Sequence, residues 1–199
     1  MTSLDGDVLG AVLAGGESRR FGTDKADAVL AGRTLLERAY ATLGEVFAQV
    51  VVVSSRPDTP YGPWETISDL REACGPLGGI EAALSRAKAE GLAGTFVLAC
   101  DLPGVDADVV RTVVDAHERE LATAPRRSGE PDFEPLCALY RSECLSVASR
   151  LLDDGRRSAR SLFEAVEGVQ VDGLEGAFVN VNTPADLAEA AARREDFGE

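Results

Sequence analysis

Residues 12–25 read Val-Leu-Ala-Gly-Gly-Glu-Ser-Arg-Arg-Phe-Gly-Thr-Asp-Lys, a glycine-rich turn that follows an apolar run and carries two arginines and a lysine. Gly15, Gly16 and Gly22 permit close backbone approach and dihedrals closed to other residues. Successive N–H groups can then converge on an anion while Arg20 and Lys25 bring positive charge to it. Such a loop suits the tail of a nucleoside triphosphate, and hence transfer chemistry. It has neither the Gly-Lys-Ser/Thr of a P-loop nor the Gly-x-Gly-x-x-Gly of a dinucleotide-binding turn, so another nucleotide fold is required.

A second feature is Cys100-Asp101-Leu102-Pro103, which follows a hydrophobic run and so projects the Asp101 carboxylate from a strand end into a cleft. Asp101 is the expected metal ligand. Mg²⁺ prefers oxygen donors and keeps several waters, so one or two carboxylates plus triphosphate oxygens suffice. His117 has no metal-ligand partner at useful spacing and reads as a solvated residue of an amphipathic helix. Tyr61, Trp64 and the few phenylalanines read as packing, since no regular aromatic and basic interleaving suggests base stacking.

The loop resembles the signature Leu-Ala-Gly-Gly-x-Ser-x-Arg-Met/Phe-Gly-x-Asp-Lys of nucleotidyltransferases, most closely that of the molybdenum cofactor guanylyltransferases. Asp69 followed by Gly75-Pro-Leu-Gly-Gly-Ile80 resembles the same family's Asp…Gly-Pro-Leu-Ala-Gly segment, and Asn180-Val-Asn182-Thr-Pro-x-Asp-Leu187 its Asn-Val-Asn-Thr-Pro-x-Asp/Glu-Leu ending. The resemblance touches residues 10–25, 69–80, 98–103, 135–141 and 178–187. It implies a Rossmann-like nucleotidyltransferase fold and transfer of GMP from GTP to Mo-molybdopterin with Mg²⁺, giving the guanine dinucleotide cofactor and pyrophosphate. Transient contact with molybdoenzymes or other cofactor-synthesis proteins is also implied.

On that resemblance the nucleotide is held by Leu13, Ala14, Gly15, Gly16, Lys25, Ser54, Asp69, Gly75 and Asp101. Arg20, Lys25 and Asp101 carry catalysis, Asp101 binds the metal, and Asn180 and Asn182 meet the pterin substrate. A phosphate oxygen of the acceptor attacks the α-phosphorus, and positioning and charge neutralisation do the work without a protein nucleophile. Alternation puts Asn180 and Asn182 on one face, and Thr183 and Asp186 read as capping groups. The chain departs from the pattern twice: Ser54 and Ser55 stand where relatives often have asparagine, and Glu134 where they commonly carry histidine or glutamine. A carboxylate facing the pterin phosphate is repulsive unless metal-bridged or turned away. Two competing readings use the same residues: a related enzyme taking CTP, UTP or GTP to another phosphorylated acceptor, and a non-catalytic nucleotide-binding assembly factor.

The elements that must position these groups alternate between strand and helix. Val8 to Ala14, Val50 to Val53 and Thr95 to Cys100 are near-continuous apolar runs, the mark of strands buried on both faces. Thr34-Leu-Leu-Glu37 is a capping box that opens a helix, and Ile80, Ala83, Leu84 and Ala87 have helical spacing up to about Gly91. Residues 65–68 read as a short strand, 106–121 as a helix, 122–133 as a loop, 136–140 as a strand, 142–153 and 158–166 as helices, and 169–172 as a short strand. Residues from Phe178 end a strand and begin a helix capped by Thr183. The expected architecture is therefore a single α/β domain, a mostly parallel sheet with helices on both faces and ligands beyond the carboxyl ends of its strands. The domain spans residues 1–192, and residues 193–199 form a tail that frays.

Composition bounds the rest. The chain has 199 residues, 45% of them hydrophobic, enough for one well-filled core. A net charge of −14 disfavours nucleic acid as a partner. Within residues 15–25, however, Arg19, Arg20 and Lys25 outnumber Glu17 and Asp24, so a local anion site persists in an acidic chain. The cysteines at 74, 100, 137 and 144 form no Cys-x-x-Cys pair, and Cys74 is the one expected at the surface. No segment approaches the roughly 18 apolar residues of a membrane span and the first residues lack a signal pattern, so the expected setting is a reducing cytoplasm without membrane contact.

Overall fold

The computed structural model describes residues 7–14, 25–55, 61–127, 132–174, 177, 178, 181, 183 and 185–187, with Lys25 described in its backbone alone. In chain order the elements are β1 (Val8–Leu13), a 3-10 turn (Lys25–Asp27), β2 (Val29–Leu30), β3 (Arg33–Thr34), α1 (Leu35–Gly44), β4 (Val50–Ser54), β5 (Thr66–Ser68) and α2 (Gly75–Ala89). There follow β6 (Gly94–Ala99), α3 (Ala107–Asp115), β7 (Ala122–Arg127), β8 (Asp132–Phe133), β9 (Cys137–Arg141), α4 (Cys144–Asp153), α5 (Ala159–Ala165) and β10 (Val169–Val171). The main sheet runs β10-β7-β9-β6-β1-β4-β5, with β8 paired to β7, and β2 and β3 form a small separate hairpin. β1 pairs parallel with β4 and β6, β4 with β5, and β10 with β7, while β9 runs antiparallel to both β6 and β7. The sheet is therefore mostly parallel, as its apolar strands predict.

β1 shows how the pattern builds two cores. Val8 and Val12 join one buried cluster with Leu35, Leu36 and Leu43 of α1 and Val110 and Val113 of α3. Leu9, Ala11 and Leu13 face the other way, into a cluster with Ile80 and Leu84 of α2, Leu151 and Leu152 of α4 and Leu162 and Phe163 of α5. The two-residue period of a strand sends alternate side chains to opposite faces, so a strand covered on both sides must be apolar throughout. α1 opens as its sequence requires: Thr34 Oγ1 accepts the Glu37 N–H, and the Glu37 carboxylate accepts the Thr34 N–H at 2.7 Å.

Three expectations are corrected. Residues 122–133 are not a loop but contain β7 and β8. Pro125 concealed them: it sits where β7 passes from pairing with β9, at Ala122 and Thr123, to pairing with β8, at Arg126 and Arg127. At that handover its carbonyl accepts the Glu134 N–H at 3.0 Å, and the N–H that proline lacks is not needed. The helix read over 106–121 ends at Asp115, capped at its start by Asp106, whose Oδ1 accepts the Val109 N–H. The early stop turns His117 inward, so it is buried rather than solvated, with Nδ1 2.7 Å from Thr123 Oγ1. Phe178 and Val181, read as strand, lie outside regular elements, whereas Thr183 and Asp186 do form a reciprocal cap.

His117 carries a stability prediction. Burial holds its pKa below the ordinary imidazole value, and among the described residues its Nε2 is a buried nitrogen without a hydrogen-bond partner. The unfolded chain takes up a proton at higher pH than the folded one does, so this contribution is present above pH ~6.5 and is lost as pH falls toward the depressed folded value. His117→Gln, which keeps an oxygen or nitrogen for Thr123, should flatten the fall in urea midpoint between pH 7.5 and 5. An unchanged pH profile would remove His117 from the account.

Candidate functional site

The order of strands reverses at β1, because the chain steps outward to β4 and β5 and then returns to β6 on the other side. Ligands of open α/β sheets sit beyond the carboxyl ends of the strands at such a reversal. Leu13, Val53 and Ala99 are in register across the three central strands, so Ala14, Ser54 and Cys100 lie along one lip. The Ala14 N–H donates to the Val53 carbonyl at 2.9 Å, and the Ala14 carbonyl accepts the Tyr61 hydroxyl at 3.1 Å. The Cys100 N–H reaches the Leu13 carbonyl at 3.4 Å, tying the end of β6 to the end of β1. The residue that starts the glycine loop is thus fixed from both sides. Tyr61 does more than pack, since its hydroxyl is one of those fixings.

Asp69 follows β5 and is anchored to this lip by its N–H, which donates to the Ser54 carbonyl at 3.1 Å; Ser54 itself is fully buried. Its carboxylate lies over the first turns of α2. A β-carbon at Gly79 would stand 3.2 Å from Leu13 Cδ2 and 3.6 Å from Asp69 Oδ1, and one at Gly78 would stand 2.7 Å from Cys74 Cβ and 3.4 Å from Asp69 Oδ2. Leu13, Asp69 and the glycines of α2 are therefore mutual neighbours, and only a residue without a side chain lets them close up. Burial, followed by the charge of Glu81, pushes the Asp69 carboxyl up to about 6. Glu81 is itself buried, held by both arms of the Arg71 guanidinium at 3.0 Å and by the Ser149 hydroxyl at 2.7 Å. Gly75 adopts φ +60 against the carbonyl of Arg157, so its glycine serves the packing of the 155–158 turn on α2.

On the other side of β1, Asp101 follows β6 and is half-buried. Its carbonyl accepts the Val181 N–H at 3.0 Å, which brings the C-terminal segment to the same lip. Glu134, buried at the entry to β9, completes this side: its Oε2 accepts Arg127 Nη1 at 2.9 Å and its Oε1 accepts the Leu136 N–H at 3.3 Å. Burial raises the Glu134 carboxyl, the Leu136 amide and Arg127 pull it back, and the charges of Asp101 and Asp132 add to the rise. The departure noted at Glu134 is thus resolved within the chain: the carboxylate is turned onto Arg127. Sequence reasoning missed Arg127 because it sits on the strand hidden behind Pro125.

Of the anticipated site residues, the fold gathers Leu13, Ala14, Ser54, Asp69, Gly75 and Asp101 around the reversal, and the backbone of Lys25 opens the 3-10 turn that leads to α1. Gly15, Gly16, Arg20, Asn180 and Asn182 lie outside the described residues, as do residues 193–199. No group of three or more His, Cys, Asp or Glu that can hold a metal occurs among the described residues, and no described helix is long and apolar enough to cross a membrane. Cys74, Cys100, Cys137 and Cys144 are free thiols, and all but Cys74 are buried.

Comparisons with known proteins agree with this fold. Residues 10–171 match the MobA-like NTP transferase domain. A molybdenum cofactor guanylyltransferase of Desulfosudis oleivorans is 34% identical over 93% of this chain and 95% of its own length. A probable molybdenum cofactor guanylyltransferase of Deinococcus radiodurans is 37% identical over 94% and 95%. Among solved structures, the molybdopterin-guanine dinucleotide biosynthesis protein A of Archaeoglobus fulgidus superposes with a TM-score of 0.78 at 26% identity, covering 95% of this chain and all of that one. With a glycine-rich sequence following β1, carboxylates after β5 and β6, and relatives aligned along nearly its whole length, the chain belongs to the MobA-like NTP transferase family.

Proposed function

We propose that this protein transfers GMP from GTP to the terminal phosphate of Mo-molybdopterin, forming the guanine dinucleotide cofactor. An acceptor phosphate oxygen forms a bond to the α-phosphorus of GTP, the bond from that phosphorus to the β-bridging oxygen breaks, and its electron pair leaves with pyrophosphate. The observation that carries this reading is the meeting, at one strand reversal, of the start of the glycine loop, Asp69 and Asp101, with the chain near Asn180 tied to Asp101 through Val181. Leu13, Ala14, Gly15, Gly16 and Asp69 hold the nucleotide, with Ser54 supporting them from beneath through its carbonyl on the Asp69 N–H and Gly75 through the packing that opens α2. Arg20 and Lys25 stabilise charge on the phosphates, and Asn180 and Asn182 receive the acceptor.

Asp101 suits Mg²⁺, being a half-buried carboxylate just beyond a strand end. A single protein carboxylate fits a cation that takes its remaining oxygens from triphosphate and water. When bound, Mg²⁺ supplies neutralisation of the charge that gathers on the phosphoryl oxygens. The four free thiols suit a reducing cytoplasm, and the product passes to molybdoenzymes by transient contact.

Purified protein given Mg-GTP and Mo-molybdopterin should release pyrophosphate and yield the dinucleotide. A preference for CTP or UTP in pyrophosphate exchange would replace guanylyl transfer by a related transfer. Nucleotide binding without turnover on any acceptor would make the protein an assembly factor.

A further inference from the structure

We propose that Arg127 is a positioning residue for the acceptor, its guanidinium forming a strut between Glu134 and the carbonyl of Phe178 that, with the Val181 N–H on the Asp101 carbonyl, holds at Phe178 and Val181 the chain that carries the proposed acceptor residues Asn180 and Asn182. The inference rests on the guanylyltransferase reading above for the identity of the acceptor. Arg127 ends β7, at the same lip as Asp101. Its Nη1 donates to Glu134 Oε2 at 2.9 Å and its Nη2 to the Phe178 carbonyl at 3.2 Å. Glu134 cannot swing away, since it is 5% exposed and its other oxygen accepts the Leu136 N–H. Three residues beyond Phe178, the Val181 N–H donates to the Asp101 carbonyl at 3.0 Å. Phe178 is therefore fastened to β7 and Val181 to Asp101, just beyond the end of β6.

The planar fork is essential to this arrangement. Guanidinium offers two terminal nitrogens at a fixed angle and can serve a carboxylate and a carbonyl together, whereas a lysine ammonium is a point charge that satisfies the carboxylate alone. The same contact keeps the buried negative charge of Glu134 engaged, so that it does not confront the phosphate of an anionic acceptor beside Asp101.

Arg127→Lys separates the two duties. It keeps a cation beside Glu134 and releases Phe178. In the full chain we expect a thermal midpoint near wild type, an acceptor KM raised about tenfold, an unchanged KM for GTP and kcat within about twofold at saturating acceptor. Amide hydrogen exchange in a 177–187 peptide should quicken while that of β1 and β6 stays slow. Arg127→Gln should add a loss of stability, because Glu134 then lies buried without its cation. Overturning results are an Arg127→Lys enzyme with wild-type acceptor KM, a parallel rise in both KM values, or unaltered exchange in the 177–187 peptide. Should the wild-type chain make no dinucleotide, the guanylyltransferase reading fails by itself; the exchange measurement still decides the strut, faster exchange in Arg127→Lys upholding it and unaltered exchange ending it.

Discussion

Replacing Asp101 by Asn is expected to lower kcat by about 10²–10³-fold while leaving the melting transition near that of wild type. The exchange is nearly isosteric, and the hydrogen bond from the Val181 N–H to the Asp101 carbonyl belongs to the backbone and survives. What is lost is a negative charge just beyond β6, whose end is tied to that of β1 by the Cys100 N–H on the Leu13 carbonyl. An amide is a weaker ligand for a hard cation than a carboxylate, so under the proposed reading the variant would hold a divalent cation poorly and leave the charge on the phosphates less well neutralised. Nucleotide affinity should fall less than turnover, since the nucleotide contacts proposed for Asp69 and the glycine-rich segment are left in place. Single-turnover release of pyrophosphate, measured beside nucleotide titration and thermal melting, separates these effects. Activity within tenfold of wild type would assign Asp101 a purely structural place. The neighbour Glu134 reports independently: the charge of Asp101 helps raise its carboxyl, so the variant should let Glu134 ionise at lower pH.

Much of the fold around the candidate site was legible because buried parallel strands leave local marks. β1, β4 and β6 are apolar at nearly every position, and each run ends at the strand reversal. The capping box at Thr34 and the reciprocal cap of Thr183 and Asp186 are likewise local, and both form as read. What escaped the sequence is nonlocal. Pro125 argues against a strand until one sees that two different partners pair on either side of it. His117 looks solvated only if the helix continues past Asp115. Nothing near Arg127 in sequence announces that Phe178, 51 residues away, will accept its second hydrogen bond. The perturbation of Asp69 comes from burial and from Glu81 on a different element, so it too depends on packing rather than on neighbours in the chain.

Asp69→Asn is expected to stabilise the protein at pH 7.5 and weaken nucleotide binding about 10–100-fold, two changes of opposite sign from one substitution. The stability change follows from the raised pKa. The Asp69 carboxyl stands at about 6 in the fold, above the usual carboxylate value, through burial and then the charge of Glu81. Here the folded state holds its proton more tightly than the unfolded state. Its contribution is therefore complete below the unfolded pKa of about 4 and is lost as pH rises through about 6. At neutral pH the charged form is a burden, which the neutral amide relieves by on the order of 1 kcal/mol once solvent screening of this half-buried group is allowed for. The affinity change has the opposite origin. A carboxylate held over Gly78 and Gly79 is an acceptor-only group, ready for the N–H or O–H donors of a nucleoside, and hydrogen bonds to a charged group are worth about 1.5–3 kcal/mol. Donors of that kind favour the ionised form, so wild-type affinity should decline as pH drops from 7 to 5.5, with proton release on binding visible by calorimetry in buffers of different ionisation enthalpy. The Asn variant should show a flatter affinity profile and no such release from this group. If it binds nucleotide as tightly as wild type with the same pH profile, Asp69 braces the turn into α2 and nothing more.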